Sequence, residues 1–305
     1  MPIQAIGVDI GGTNTKLAVV SDEGEIQHIE TFPTAARENP KDYLDHLVQR
    51  IGQLADENKI AGIGLAAAGF LSEDRRSIRY NPNTPALVGV DYFKLLDGLK
   101  LPVRLEQDLN VPTIAEYYFG EFRGGRRLMT ASIGTGLGAG LVIDGKVIDV
   151  TGGTIGDSGH IILEPDGPQC TAGCRGCGEA LITAPAIERL AEKYNPNKSQ
   201  PIKTHDVISA VKDGHPWALE IIDQIGGWLG QWLASLSPIF LPSHILLCGG
   251  VAEAGEPLRR KAEARFFELS GPEYTHCVIA LSHFGGRAGV IGAAAPFLTG
   301  SFLEK

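Results

Sequence analysis

The stretch Asp9-Ile10-Gly11-Gly12-Thr13-Asn14-Thr15-Lys16 sets the strongest limit on what this chain can fold into. It lies between two apolar, β-branched runs, Ala5 to Ile10 and Leu17 to Val20, a pattern that reads as strand, tight turn, strand. Two glycines let the turn reach positive φ and come close to a ligand. Backbone N–H groups, the Thr13 and Thr15 hydroxyls and the Asn14 amide offer donors to one small volume, and Lys16 adds a point charge. Such a loop suits a phosphate. Asp9 closes the first strand with a carboxylate, which suits the Mg²⁺ that accompanies a nucleotide phosphate. The alternative is a plain hairpin whose glycines only close the turn. The loop has neither P-loop nor dinucleotide-fold spacing. Gly140 to Lys146 does have P-loop spacing, but Val147 follows where Ser or Thr belongs, and Asp144-Gly145 reads as a two-residue hairpin turn.

The motif has an internal echo. Leu128 to Ile133 reads as a strand, followed by Gly134-Thr135-Gly136-Leu137-Gly138-Ala139-Gly140 and a hairpin of Leu141 to Ile143 with Val147 to Val150. A third glycine turn, Gly249-Gly250, follows the apolar run Ile245 to Cys248. The first two turns face phosphates, and the third would let an adenine or ribose lie against bare backbone. Between these turns, helical spacing over Lys41 to Asn58, Val111 to Phe119, Ala218 to Phe240, Leu258 to Leu269 and Gly289 to Leu298 alternates with short apolar runs at Ile60 to Ala66, Val103 to Leu105 and Val278 to Leu281. That alternation places the chain in the α/β class. Its 305 residues allow one large or two ordinary domains. The tryptophans of the 218–240 helix lie on its apolar stripe and read as packing.

The net charge of -9 argues against nucleic acid as a partner. Neither a membrane-spanning run nor a signal peptide is visible, so a cytoplasmic location is expected. Cys170, Cys174 and Cys177 fall close together, and His160 precedes them. One imidazole and three thiolates suit a closed, tetrahedral structural Zn²⁺ site, with reduced thiols or a disulfide as the alternative. Cys248 and Cys277 read as buried small hydrophobes. Asp108 follows the strand at Val103 to Leu105 and precedes a helix. A carboxylate there can take a proton from an attacking hydroxyl, or it can simply favour the helix dipole.

The motifs taken in order resemble the ROK family of sugar kinases, within the actin/hexokinase/Hsp70 superfamily. DIGGTNTK resembles its first phosphate loop, EQDLNVPTIAEYYFGEFRG its catalytic segment and IGTGLGAGLVIDGKV its second phosphate loop. GDSGHIILEPDGPQCTAGCRGCGE resembles its sugar and zinc signature, ILLCGGVAEAG its adenosine segment and AGVIGAAAPF its closing helix. The resemblance implies an α/β, two-domain actin-like ATPase fold, related to ribonuclease H, with sugar and ATP in the interdomain cleft. The implied domains are 1–113 plus 289–305, and 114–288 carrying the zinc loop. It also implies ATP-dependent phosphorylation of a glucose-like hexose at the 6-hydroxyl, with Asp108 as general base. Asp9, Gly11, Gly12, Thr13, Asn14, Lys16, Gly134, Thr135, Gly136, Gly249 and Gly250 would hold ATP and Mg²⁺. Asn83, Asp108, His160 and Glu179 would contact the hexose, and His160, Cys170, Cys174 and Cys177 would hold zinc. A homodimer is the expected assembly.

The chain departs from the family pattern in three places, two of them at Gln107 and Asp157, which the resemblance also implies as sugar contacts, and one in the zinc loop. Gln107 replaces the family's Asn before the catalytic Asp, one methylene longer. Asp157 replaces its Glu three residues before the His, one methylene shorter. The middle zinc cysteine is Ala172, so Cys174 is expected to substitute for it. N-Acetylmannosamine, N-acetylglucosamine, fructose and allose stay open as alternative substrates, and polyphosphate as alternative donor. A sugar-responsive regulator is disfavoured, because the first strand begins within five residues of Met1 with no basic recognition element. An actin- or Hsp70-like ATPase acting on proteins is disfavoured by the Cys–His loop and Glu179.

Overall fold

The computed structural model describes residues 3–34, 39–81, 84–150, 152–194 and 201–299. The chain divides into two compact units, one of residues 1–124, 140–156 and 287–305, the other of 125–139 and 157–286.

The first sheet has five strands in the order β3-β2-β1-β4-β7. Its members are β1 (Gln4–Ile10), β2 (Asn14–Ser21), β3 (Ile26–Pro33), β4 (Ile60–Ala67) and β7 (Val103–Gln107). β1, β2 and β3 form an antiparallel meander, while β4 and β7 run parallel to β1 and to each other. The register sets Ile10 beside Ala67, and Ala67 beside Gln107. Three strands thus end together at one carboxyl edge, where open α/β sheets bind ligands. β5 (Phe70–Leu71) and β6 (Ile78–Tyr80) add a small antiparallel pair.

One face of this sheet packs on α1 (Pro40–Glu57), whose Tyr43, Leu47, Ile51 and Leu54 join Ile6, Val8, Leu17, Ile63 and Leu65 in the core. The Asn39 side chain caps α1 by accepting from the Asp42 N–H. α9 (Ala288–Thr299) packs on the strands through glycine. A Cβ at Gly7 would collide with the Val290 carbonyl, one at Gly64 with the Ala293 carbonyl and one at Gly292 with the Val111 carbonyl of α3 (Asn110–Phe119). α2 (Tyr92–Leu96) closes the region before β7, capped by Asp91.

The second sheet repeats the order as β10-β9-β8-β11-β12. Here β8 (Arg127–Ile133) and β12 (Val278–Leu281) flank β11 (His244–Cys248) in parallel, and β9 (Leu137–Ile143) carries the short β10 (Lys146–Val147) antiparallel. The hairpin therefore differs from the expected one. β9 starts at Leu137 rather than Leu141, because Gly138 and Gly140 continue the extended chain, and β10 ends at Val147 rather than Val150. The Asp144-Gly145 turn has both residues at positive φ, as a type I′ hairpin requires.

Helices α4 (Gly178–Ile182), α5 (Ala184–Tyr194), α6 (Thr204–Lys212), α7 (Pro216–Phe240) and α8 (Glu256–Leu269) complete this unit. Residues 218, 221, 222, 225, 229, 232, 233 and 236 of α7 are buried at helical spacing. α7 and α8 approach closely at Gly230, where a Cβ would collide with the Ala262 carbonyl. Cys248 and Cys277 are buried. Among the described residues no helix is long and apolar enough to cross a membrane.

Candidate functional site

In the first unit the site gathers at the carboxyl edge of the first sheet. Gly11, Gly12 and Thr13 bridge β1 to β2, and Gly12, Thr13 and Asn14 are exposed. The loop is tied below by Gly11 N–H donating to the Asn14 carbonyl at 3.1 Å and Thr34 N–H donating to the Thr13 carbonyl at 2.8 Å. Thr15 does not join it. Strand alternation turns its side chain into the core, where its Oγ1 shares hydrogen bonds with Thr34 Oγ1 at 2.8 Å and Tyr43 Oη at 2.7 Å. Lys16 pairs with Asp9 across the strands and its charge favours the Asp9 carboxylate, yet burial dominates and raises that carboxyl's pKa. A Cβ at Gly289 would collide with Asp9 Oδ2, so α9 begins directly over it.

Asp108 follows β7 at the same edge. Its N–H donates to the Ala67 carbonyl at 3.1 Å, which fixes its backbone to β4. Its carboxyl is pushed up to about 7, by burial first and the Asp9 charge second, against the pull of the Leu109 and Asp108 N–H groups. Gln107 lies beside it, with Nε2 donating to Asp108 Oδ1 at 2.7 Å. Asn83 lies outside the described residues.

In the second unit two glycine turns come together. Gly249 sits at φ 89, and a Cβ there would collide with the Ile133 carbonyl at the end of β8. The turn at Gly249-Gly250 thus packs on the strand that enters the turn at Gly134-Thr135-Gly136. Thr135, Gly136 and Gly250 are exposed, and a Cβ at Gly134 or Gly250 would have no neighbour within 4 Å. Gly249-Gly250 leads first into a 3-10 turn, Gly250–Ala254, and then into α8. Glu179, in the first turn of α4, faces the second loop: its Oε2 lies 3.2 Å from where a Gly136 Cβ would stand. Its Oε1 accepts from Thr171 Oγ1 at 3.3 Å.

The cysteine segment folds as a ladder-like loop. Leu163 and Glu164 N–H groups donate to the Gly176 carbonyl at 2.8 and 2.9 Å, and Cys170 N–H to the Cys174 carbonyl at 2.9 Å. The ligand atoms of His160, Cys170, Cys174 and Cys177 all lie within 4.8 Å of one another. His160 Nδ1 faces the sulfurs, 3.3 Å from Cys174 and 3.7 Å from both Cys170 and Cys177. Cys170 and Cys174 sulfurs are 3.2 Å apart. A tetrahedral zinc with bonds of roughly 2.0–2.3 Å needs ligand separations of about 3.3–3.8 Å, so the donor set and the three nitrogen–sulfur distances fit such an ion. The other ring nitrogen, Nε2, points away and lies 3.7 Å from Asp157 Oδ1.

A model of the ROK family matches residues 5–299. The chain belongs to the ROK family. Glucokinase of Thermotoga maritima is 30% identical over 309 residues, covering 96% of each chain. N-Acetylmannosamine kinase of Citrobacter koseri is 26% identical over 299 residues, covering 96% of this chain and 98% of that one. Among solved structures, a ROK family glucokinase from Streptomyces griseus in complex with glucose and AMPPNP superposes with a TM-score of 0.82 at 27% identity, covering 95% of this chain and 98% of that one. The ROK chain therefore has the actin-like ATPase fold.

Two supports of this ROK site carry no local sequence signal. Glu106, buried at the end of β7, accepts from Arg75 Nη2 at 2.5 Å and Asn110 Nδ2 at 3.0 Å, and Arg75 also pairs with Asp149 at 2.8 Å. Asn110 further donates to the Gly153 carbonyl at 2.5 Å, which ties Gly153 to the turn that carries Asp108 from β7 into α3. In the second unit, Trp232 Nε1 donates to the Ser158 carbonyl at 2.8 Å and Gln231 Nε2 to the Leu163 carbonyl at 3.2 Å. α7 thereby holds the turn that presents His160. Only the neighbourhood of Glu106 and Asn110 to Asp108 could have hinted at the first; the second links residues far apart in sequence.

Proposed function

We propose that this chain is an ATP-dependent sugar kinase that phosphorylates the 6-hydroxyl of a glucose-like hexose. The observation that carries the reading is Asp108: a partly buried carboxyl at a strand end, tuned to about 7, in a chain that matches glucokinases along its length. A base with that affinity is half-ionised near neutrality, the condition in which general-base help of about 10²–10⁴-fold is available. Asp108 takes the proton of the sugar O6–H as O6 bonds to the γ-phosphorus. The bond from that phosphorus to the β–γ bridging oxygen breaks, and ADP leaves with the electron pair. Mg²⁺ accompanying the nucleotide supplies charge neutralisation of the phosphates. The glycine turns at Gly11-Gly12 and Gly134-Thr135-Gly136, with Thr13, Asn14 and Lys16, receive phosphate oxygens. Gly249 and Gly250 give the nucleoside a bare surface.

His160 and Glu179 are the sugar contacts of the second unit, with Asp157 beside them. His160 does two jobs: Nδ1 on the metal fixes the tautomer and leaves Nε2 for a sugar hydroxyl. The metal is Zn²⁺ held by His160, Cys170, Cys174 and Cys177, and Cys174 takes the place of the missing family cysteine. An aminosugar or N-acetylhexosamine is the second reading, favoured by the similarity to an N-acetylmannosamine kinase. A coupled assay with ATP against hexoses and N-acetylhexosamines tests both, because the polar pocket groups that fix substrate choice give large rate differences. The expected result is one clear preference for a glucose-like sugar. Asp108→Asn should still bind that sugar and lose nearly all turnover, and retained turnover would refute its role.

A further inference from the structure

The Asp108 carboxylate is held from one side. Gln107 donates through Nε2 to Asp108 Oδ1 at 2.7 Å while its own Oε1 accepts from the Leu109 N–H at 2.7 Å. Its side chain is enclosed, with only 3% of the residue exposed. The wall behind it is Gly153, where a Cβ would come 3.0 Å from the Gln107 Cβ. Neighbours along a strand point to opposite faces, so residues i and i+1 do not normally touch through their side chains. The contact is possible because β7 ends at Gln107 and the chain turns into α3. It also draws on length: the glutamine amide reaches Asp108 and Leu109 at once.

We propose that Gln107 is a positioning residue for the transfer: its amide, braced on the Leu109 N–H, fixes Asp108 Oδ1 so that Oδ2 receives the sugar proton. This rests on the sugar-kinase reading of Asp108 above. It differs from the direct sugar contact that the resemblance suggests for this position. The carboxylate must meet a hydroxyl in line with the γ-phosphate, and small misplacements of a reacting group cost large factors in rate. A donor clamped on one oxygen removes the rotation that would misplace the other.

The discriminating variant is Gln107→Glu, assayed at pH 8 in the full chain. It keeps an acceptor for the Leu109 N–H but has no N–H for Asp108. We expect kcat to fall about 10- to 100-fold with sugar and ATP KM within about threefold of the parent, because the lost interaction acts on the transition state. Gln107→Met, which has neither group, should behave the same way, and it decides by the same split if the Glu variant melts below the assay temperature. Parent kcat in Gln107→Glu would overturn the proposal, since bracing α3 would then be the whole role. So would a tenfold rise in sugar KM at unchanged kcat, the mark of a direct sugar ligand. If the parent chain phosphorylates no sugar at all, the kinase reading fails and takes this one with it, whereas an active parent with unaffected variants removes only this one.

Discussion

Asp108 holds its proton far more tightly than a carboxylate in water, and the folding equilibrium must register it. Its ordinary value of 3.8 rises to about 7 in the folded chain through burial and the nearby Asp9 charge. The folded state therefore binds more protons than the unfolded state between those values, and stability falls as pH rises across that window. At full strength the shift corresponds to roughly 4 kcal/mol, reduced here because Asp108 keeps partial contact with solvent. Asp108→Asn removes the titration. Its melting temperature should exceed the parent's by several degrees at pH 8, and the gap should narrow as pH falls and close only below about 3.8, where the carboxyl is protonated in the unfolded chain as well. Equal melting curves at pH 8 would show that the carboxyl is not desolvated. The same ionisation puts the acid limb of kcat/KM near 7, falling below it as the base is protonated. In the sequence Asp108 stands out as a candidate base only through the family resemblance, because by itself a carboxylate between a strand and a helix fits the helix dipole equally well. The sequence did not show Gln107 turned onto Asp108, since alternation predicts opposite faces. Nor did it show Thr15 spent in the core, because a threonine next to glycines looks like a loop donor.

At the scale of elements, α7 and the cysteine loop form one device. The loop carries His160 and the three cysteines, and α7 grips its backbone through Trp232 and Gln231. Trp232 is fully buried. Trp232→Phe keeps most of the apolar packing but leaves the Ser158 carbonyl with only the longer bond from the Ile161 N–H at 3.3 Å, a loss of about 0.5–1.5 kcal/mol for one hydrogen bond. Metal should then leave faster to a chelator such as EDTA, while the zinc content of freshly purified protein stays near one per chain. Cys174→Ser should instead lower the content itself. Elemental analysis with a timed chelator assay separates the two, and parent content in Cys174→Ser would remove that residue from the ligand set. The sequence spacing offers His160 and the three cysteines as a candidate metal set, which the fold brings together, and it reads the α7 tryptophans as packing from their stripe. The added hydrogen bond is invisible to it, because Ser158 and Trp232 meet only through the tertiary fold. The start of β9 at Leu137 is hidden for a local reason: glycines at 138 and 140 look like loop, yet the sheet extends them.

At the scale of the whole molecule, the first unit is assembled from three separate pieces of chain, and the last piece is α9. No contiguous fragment can reproduce it. α9 is nearly all small or apolar, and Ala288, Val290, Ile291, Ala293, Ala294, Ala295 and Leu298 are buried. It presses on β1, β4 and α3 at points where only glycine leaves room, Gly7, Gly64 and Gly292. Ending the chain after Gly286 would strip this layer from the sheet and leave the seat of α9 open to water. Burial of Val290, Ile291 and Leu298 is worth roughly 1.5–3 kcal/mol each, which together is comparable with much of the 5–15 kcal/mol that keeps a typical domain folded. The chain cut after Gly286 should fail to give a cooperative melting transition and should collect in the insoluble fraction or in large aggregates. Gly292→Ala tests the same packing without deletion: its added Cβ must push the Val111 carbonyl, so it should cost about 1–3 kcal/mol. A soluble, cooperatively melting truncated chain would mean that α9 only covers a unit already complete. In that case Gly292→Ala should be silent as well, so the two measurements check each other.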